Sequence, residues 1–187
     1  MLFKPKFWDK KIGLISVLLF PLSLITVFIV FIKKRLIKKN IFNTPIICVG
    51  NIYIGGTGKT PTSILLANEI TKLNKKPVIL RKFYYNHQDE HELIRNNFEN
   101  FILSKDRFEA IKKIEDSEFN VVILDDGLQD YKIKKNLNIV CFNQNQLVGN
   151  GLILPSGPLR ESLSSLKKVE IVIINGRKNK NFEDKIL

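Results

Sequence analysis

Residues 46–61 read IICVGNIYIGGTGKTP: the apolar run Ile46-Ile47-Cys48-Val49, a glycine-rich break, and then Gly58-Lys59-Thr60. A loop of this make-up presents successive backbone N–H groups to phosphate oxygens, adds a lysine charge, and sets a threonine hydroxyl where Mg²⁺ uses it. Gly55, Gly56, Thr57, Gly58, Lys59 and Thr60 are therefore the expected nucleotide-binding residues. The strict pattern begins with glycine, and Tyr53 stands at that position. The flanks compensate: Ile46–Val49 reads as a buried strand, and Thr62–Leu73 (TSILLANEITKL) carries apolar residues at helical spacing. Strand, glycine loop and helix follow in the order an anion site needs, and the helix N-terminus adds its partial positive charge. The plainer alternative is a glycine turn with no ligand, but a turn has no use for Lys and Thr directly after its last glycine.

Downstream the chain alternates strand and helix. Lys76–Leu80, Asn120–Leu124, Leu137–Phe142 and Val169–Asn175 read as strands, and Lys105–Ile114 as a helix. Alternation of this kind predicts an α/β fold, a P-loop NTPase-like parallel sheet with flanking helices, with ligands at the carboxyl ends of the strands. The run Val121-Val122-Ile123-Leu124-Asp125-Asp126-Gly127 places two acids at the end of one such strand. Asp-Gly is also an ordinary turn signal. In the same α/β pattern as a phosphate loop, Asp125 and Asp126 are candidate Mg²⁺ ligands together with Thr60. A second acidic pair, Asp89-Glu90 in NHQDEHELI, suits a helix cap or the carboxylate a kinase uses to orient an attacking hydroxyl. His87 and His91 flank this pair, and a polar loop is expected to leave both solvated.

Composition bounds the rest. With 187 residues and 44% hydrophobic content the chain suits one cored domain plus an appendage. Cys48 and Cys141 lie in apolar strand-like runs without metal spacing, so they read as reduced core residues. The net charge of +12 is uneven: residues 1–40 hold nine Lys/Arg against Asp9 alone. This charge flanks Ile12–Ile32, IGLISVLLFPLSLITVFIVFI, a stretch with no charged residue. As a helix it measures roughly 31 Å, about the hydrocarbon thickness of a bilayer. Basic flanks of this kind suit an anionic lipid surface, whereas a nucleic-acid binder spreads its charge over the folded surface. Partners are thus expected to be membrane lipid and not nucleic acid. A cleaved signal peptide would need small residues where Lys33-Lys34-Arg35 stand. Pro21, in mid-segment, leaves spanning and shallow insertion both open. The expected division is residues 1–40 as a membrane-associated helix and 41–187 as the P-loop domain. Basic residues on both flanks leave orientation to the nucleotide, since ATP is cytosolic.

Taken together, VGNIYIGGTGKTP, Asp89-Glu90, LDDGLQD, GNGLILPSGPLRES and IING resemble the tetraacyldisaccharide 4'-kinases of lipid A biosynthesis. The most specific part is Gly149–Glu161, a string no general nucleotide-binding protein requires. The resemblance implies transfer of the ATP γ-phosphate to the 4'-hydroxyl of an acylated glucosamine disaccharide 1-phosphate, at the cytoplasmic face of the inner (plasma) membrane. It implies Lys59 on the β/γ-phosphates, Thr60, Asp125, Asp126 and Glu90 at Mg²⁺, and Asp89 as the acid activating the hydroxyl. Arg160 would contact phosphate or fix its loop. Three positions depart from the family: Asp130 stands for a histidine, Leu80-Arg81-Lys82-Phe83 for Ser-Arg-Gly-Tyr, and His91 for a proline. The family's C-terminal half, with a histidine that partners the catalytic acid, is expected to lie outside these residues. The alternative is a truncated or degenerate nucleotide-binding module without turnover. A guanine-selective switch protein is disfavoured because no [NT]-K-x-D run occurs.

Overall fold

The computed structural model describes residues 4–177 and Asp184. The outer ends of both expected segments, residues 1–3 and most of 178–187, lie outside the described residues. Six strands form one sheet: β1 (Ile46–Gly50), β2 (Pro77–Lys82), β3 (Phe101–Ser104), β4 (Val121–Asp125), β5 (Leu137–Asn143) and β6 (Ile171–Asn175). Their order is β3-β2-β4-β1-β5-β6, and every pairing is parallel. The alternation of strands and helices leads to this sheet, because parallel neighbours need a crossover and the crossing helix covers a face.

Period-2 alternation explains the two apolar layers. Cys48, Val78, Leu80, Val122 and Leu124 point to one face, where Ala110, Ile111 and Ile114 of α4 (Arg107–Glu115) cover them. Val49, Ile79, Ile123, Ile139 and Cys141 point to the other, under Ala67 and Ile70 of α2 (Lys59–Lys72) and Ile94 of α3 (Gln88–Asn97). Cys48 and Cys141 therefore sit on opposite faces of the sheet, and burial pushes the Cys48 thiol up to about 12. Both are free, as core residues should be.

From β1 the chain runs out to β2 and β3 on one side, returns as β4, and then crosses to β5 and β6 on the other. The strand order thus reverses beside β1, and a crevice opens there at the carboxyl ends of the strands. β3 was not anticipated from sequence. It is a four-residue edge strand of half-buried residues, too short to show a period.

The helix α1 spans Leu14–Leu36 and continues through Pro21. By length and composition it is able to cross a membrane, and only 11% of its most apolar window is buried. Its two buried residues, Ser16 and Ser23, are seven apart and so share one face. Ser23 Oγ bonds Ile153 O and Ser156 Oγ, each at 2.8 Å, and accepts from Ser156 N at 3.1 Å. Asn150 Nδ2 reaches Ser16 Oγ at 3.3 Å. Just before the helix, Trp8 is buried, donates from Nε1 to Pro155 O (3.0 Å), and accepts from Asn150 N (2.7 Å). Gly149, at φ +58, is required here, since a Cβ would lie 2.6 Å from Trp8 O. The small polar face of α1 thus meets the loop 149–161, and the large apolar face, from Leu14 to Phe31, is exposed.

Candidate active site

The glycine loop leaves β1 at the strand-order reversal. Gly58, at φ +83, is the left-handed cap of α2, so Lys59 and Thr60 are the first helical residues and Pro61 follows in the first turn, where it is tolerated. The expected helix start at Thr62 moves back to Lys59, which points the first backbone amides of α2 toward the loop.

Three asparagines hold this loop, and sequence reasoning assigned none of them. Buried Asn51 donates from Nδ2 to Gly55 O (3.2 Å) and Thr57 Oγ1 (3.0 Å). Asn143 reaches Gly56 O at 3.4 Å, and Asn175, at the end of β6, reaches Thr57 O at 2.6 Å. A Cβ on Gly58 would collide with the Asn175 amide. Gly55 and Gly56 stay exposed, while Thr57, Lys59 and Thr60 are buried. Tyr53, in place of the pattern's first glycine, is fully buried against Leu159, and its hydroxyl bonds Asp9 at 3.1 Å. It joins the loop to the N-terminal segment.

The acidic pair closes the other wall. Asp125 ends β4 fully buried and accepts from Ser63 Oγ (2.9 Å), Thr60 Oγ1 (3.2 Å) and Arg81 Nη1. Asp126, at φ 54, turns its carboxylate the other way, 3.7 Å from Lys59 Nζ and 3.2 Å from Arg160 Nη1. Arg107, buried, fixes this turn by donating to the carbonyls of Asp125 (2.8 Å) and Asp126 (2.9 Å). Burial pushes the Asp126 carboxyl up, but Lys59, Arg160, Arg81 and Arg107 outweigh it and the net shift is downward. Burial lowers the Lys59 amine, and Asp126 opposes that effect.

The structure therefore brings Thr60 to Asp125 and Lys59 to Asp126. Glu90 meets this group only through Arg81, whose Nη2 it accepts, with His87 Nδ1 at 3.0 Å on the same oxygen. Asp89 is exposed on the first turn of α3 and makes no hydrogen bond or ion pair with any described residue. Neither acid caps α3; His87 stands at the cap. Of the two histidines, His91 is not solvated but buried and stacked on Phe83, while the His87 side chain is partly exposed. Among the described residues no three His, Cys, Asp or Glu side chains converge as a metal cage. Thr60 Oγ1 and Asp125 Oδ2, 3.2 Å apart, are hard oxygen donors that fit Mg²⁺, which takes most of its ligands from water and phosphate.

Beside Asp126 and Arg160 lies a cavity of about 600 Å³ whose cations include Lys33, Lys82, Lys105, Arg107 and Lys132. Val30 and Ile37, at the end of α1, form its apolar side. The same region carries a second network that sequence reasoning missed. Buried Glu161 accepts from Lys34, from Tyr131 OH at 2.8 Å and from Gln129 Nε2 at 3.3 Å, which ties the end of α1 to the loop bearing Arg160.

The family model described as LpxK, tetraacyldisaccharide-1-P 4'-kinase, matches residues 15–97 and 86–186. The tetraacyldisaccharide 4'-kinase of Pelagibacter ubique is 48% identical over 92% of this chain and 55% of its own length. That of Francisella philomiragia is 33% identical over 95% of this chain and 63% of its own. The crystal structure of the "apo" form of LpxK from Aquifex aeolicus in complex with ATP superposes with a TM-score of 0.74 at 25% identity. It covers 86% of this chain and 59% of that one. The chain thus spans little more than half the length of the curated relatives it matches. The six-stranded parallel sheet, its flanking helices and the match across nearly all of these residues lead to one conclusion: the chain belongs to the tetraacyldisaccharide 4'-kinase family.

Proposed function

We propose that this chain binds ATP and an acylated glucosamine disaccharide 1-phosphate at the inner membrane and phosphorylates the 4'-hydroxyl. The observation that carries this reading is the meeting of Lys59, Thr60, Asp125, Asp126 and Arg160 at one sheet edge, beside a basic cavity that ends on α1. ATP in the Aquifex relative supports the choice of nucleotide.

In this reading the glycine loop, Gly55 to Gly58, and the amides of α2 receive the phosphates, with Lys59 on the β/γ oxygens. Thr60 and Asp125 would hold Mg²⁺, with Asp126 and Glu90 near it. The ion, when bound, neutralises charge developing on the phosphates. Asp89 accepts the proton of the 4'-hydroxyl as that oxygen forms its bond to the γ-phosphorus and the bond to the ADP oxygen breaks. The cations of the cavity suit the substrate's phosphate, and Val30 and Ile37 suit its acyl chains. Residues 1–40 serve as the membrane arm, with the remaining domain on the cytoplasmic side, where ATP is found.

The test measures ATP affinity and transfer to the disaccharide lipid for two variants. Lys59→Ala should weaken both, while Asp89→Asn should leave affinity within a few-fold and lower transfer by about 10² to 10⁴. Identical behaviour of the two would overturn the division of roles. Tight ATP binding with no transfer by the parent chain would make it a nucleotide-binding module instead.

A further inference from the structure

We infer that Arg81 is a positioning residue that locks the first turn of α3, and with it Asp89, to the nucleotide loop. This inference rests on the kinase reading for the role of Asp89, but the link itself is testable without turnover.

Arg81 ends the buried part of β2. Val78, Ile79 and Leu80 before it are fully buried, and Arg81 itself is only 2% exposed. A cation in such a place is strongly unfavourable unless acids pair with it; both Nη groups are so paired, while Nε is buried without a partner among the described residues. The two ends of its guanidinium reach in different directions. Nη1 donates to Asp125 Oδ2 and, at 3.2 Å, to Thr60 Oγ1. Nη2 donates to Glu90 Oε2 and lies 3.2 Å from His87 Nδ1. One planar group therefore spans the end of β4, the first turn of α2 and the first turn of α3. Because the fork is rigid, it fixes the distance between Asp125 and Glu90, which an ammonium on a flexible stem does not do.

At this end α3 is also held by buried His91, stacked on Phe83. Its cap residue makes no side-chain capping bond, and Ile94, its buried apolar anchor, is in the following turn. Asp89 itself bonds no described residue, so its place is set by the backbone of that first turn. The residue next to it, Glu90, is the one Arg81 holds. Arg81 thus acts on Asp89 through Glu90, and on Thr60 and Asp125 directly.

Amide hydrogen exchange on the full chain, without nucleotide and with metal chelated, tests the link. Arg81→Lys and Glu90→Gln should each speed exchange over residues 88–92 by about tenfold or more and leave α4 unchanged. The double variant should be no faster than Arg81→Lys. In transfer assays Arg81→Lys should keep ATP affinity within a few-fold while turnover falls by about 10², the loss expected from a small misplacement of a reacting group. Unchanged exchange in α3 for both variants overturns the inference. So does a silent Glu90→Gln beside a disturbed Arg81→Lys, since Arg81 would then serve Asp125 alone. If the exchange result holds and the parent chain shows no transfer, the link stands and the kinase reading falls.

Discussion

Asp126 and Lys59 share one small volume and both titrate below their ordinary values, the acid because of surrounding cations and the amine because of burial, and that gives each a distinct pH signature. The folded Asp126 carboxyl lies below its unfolded value because surrounding cations outweigh its burial. Its stabilisation is therefore complete above about pH 4 and lost as pH falls through the folded value. Urea midpoints between pH 7 and 3 should show a shallower acid decline in Asp126→Asn than in the parent. Lys59 is displaced downward by burial, so its amine loses its proton earlier on the alkaline side than an ordinary lysine. ATP affinity, followed by titration calorimetry, should weaken with rising pH before the usual lysine range is reached, and Lys59→Met should show no such limb. Residue types and spacing made Lys59, Thr60 and the two aspartates legible in the sequence, because one local motif carries each set. Arg81 was not legible. It is a single charge ending an apolar strand, and its partners lie 9, 21 and 44 positions away in the chain. A lone arginine in PVILRK was nevertheless a usable signal, since a buried cation needs paired acids.

At the level of elements, the strands with several consecutive apolar residues were readable, and their bounds moved by only a residue or two. Boundaries shifted where a cap decided them. Asp106 accepts from Phe108 N and Glu109 N and so starts α4 at Arg107, and left-handed Gly58 starts α2 at Lys59. The loop's asparagine supports came from β1, β5 and β6 ends, a coincidence of sheet order that no linear pattern displays. Asn175 offers the cleanest test of that support. Asn175→Ala should cost about 1 kcal/mol of stability, read as a lower unfolding midpoint, and should weaken ATP binding. If Asn175→Ala lowers the midpoint but leaves ATP affinity untouched, the loop keeps its shape without the side chain.

For the whole molecule, the informative arrangement is a helix worn with its apolar side outward. α1 carries Leu14, Leu18, Leu22, Ile25 and Phe28 on exposed positions, while Ser16 and Ser23 face the protein. An exposed apolar surface of this extent is a contact surface, and its basic flanks suit anionic lipid. Flotation with vesicles containing phosphatidylglycerol should recover the chain in the lipid fraction, and replacing Phe20, Ile25 and Phe28 with Gln should return it to the aqueous one. Recovery of the substituted chain with the vesicles would assign membrane contact to another surface.

The serine-lined seat of α1 also decides how a detergent-free preparation should be made. Cutting the chain after residue 36 leaves the Ser156 amide and the Pro155 carbonyl without the groups they now bond, and takes Ser23 from the Ser156 hydroxyl and the Ile153 carbonyl and Lys34 from the Glu161 carboxylate. Each abandoned polar group costs about 1–3 kcal/mol where water does not reach it, and Glu161 stands beside Arg160. A water-soluble version is better obtained by recolouring the helix, with Glu, Gln and Lys at its outer positions and both serines kept, so that the scaffold loses its greasy coat and not its seam.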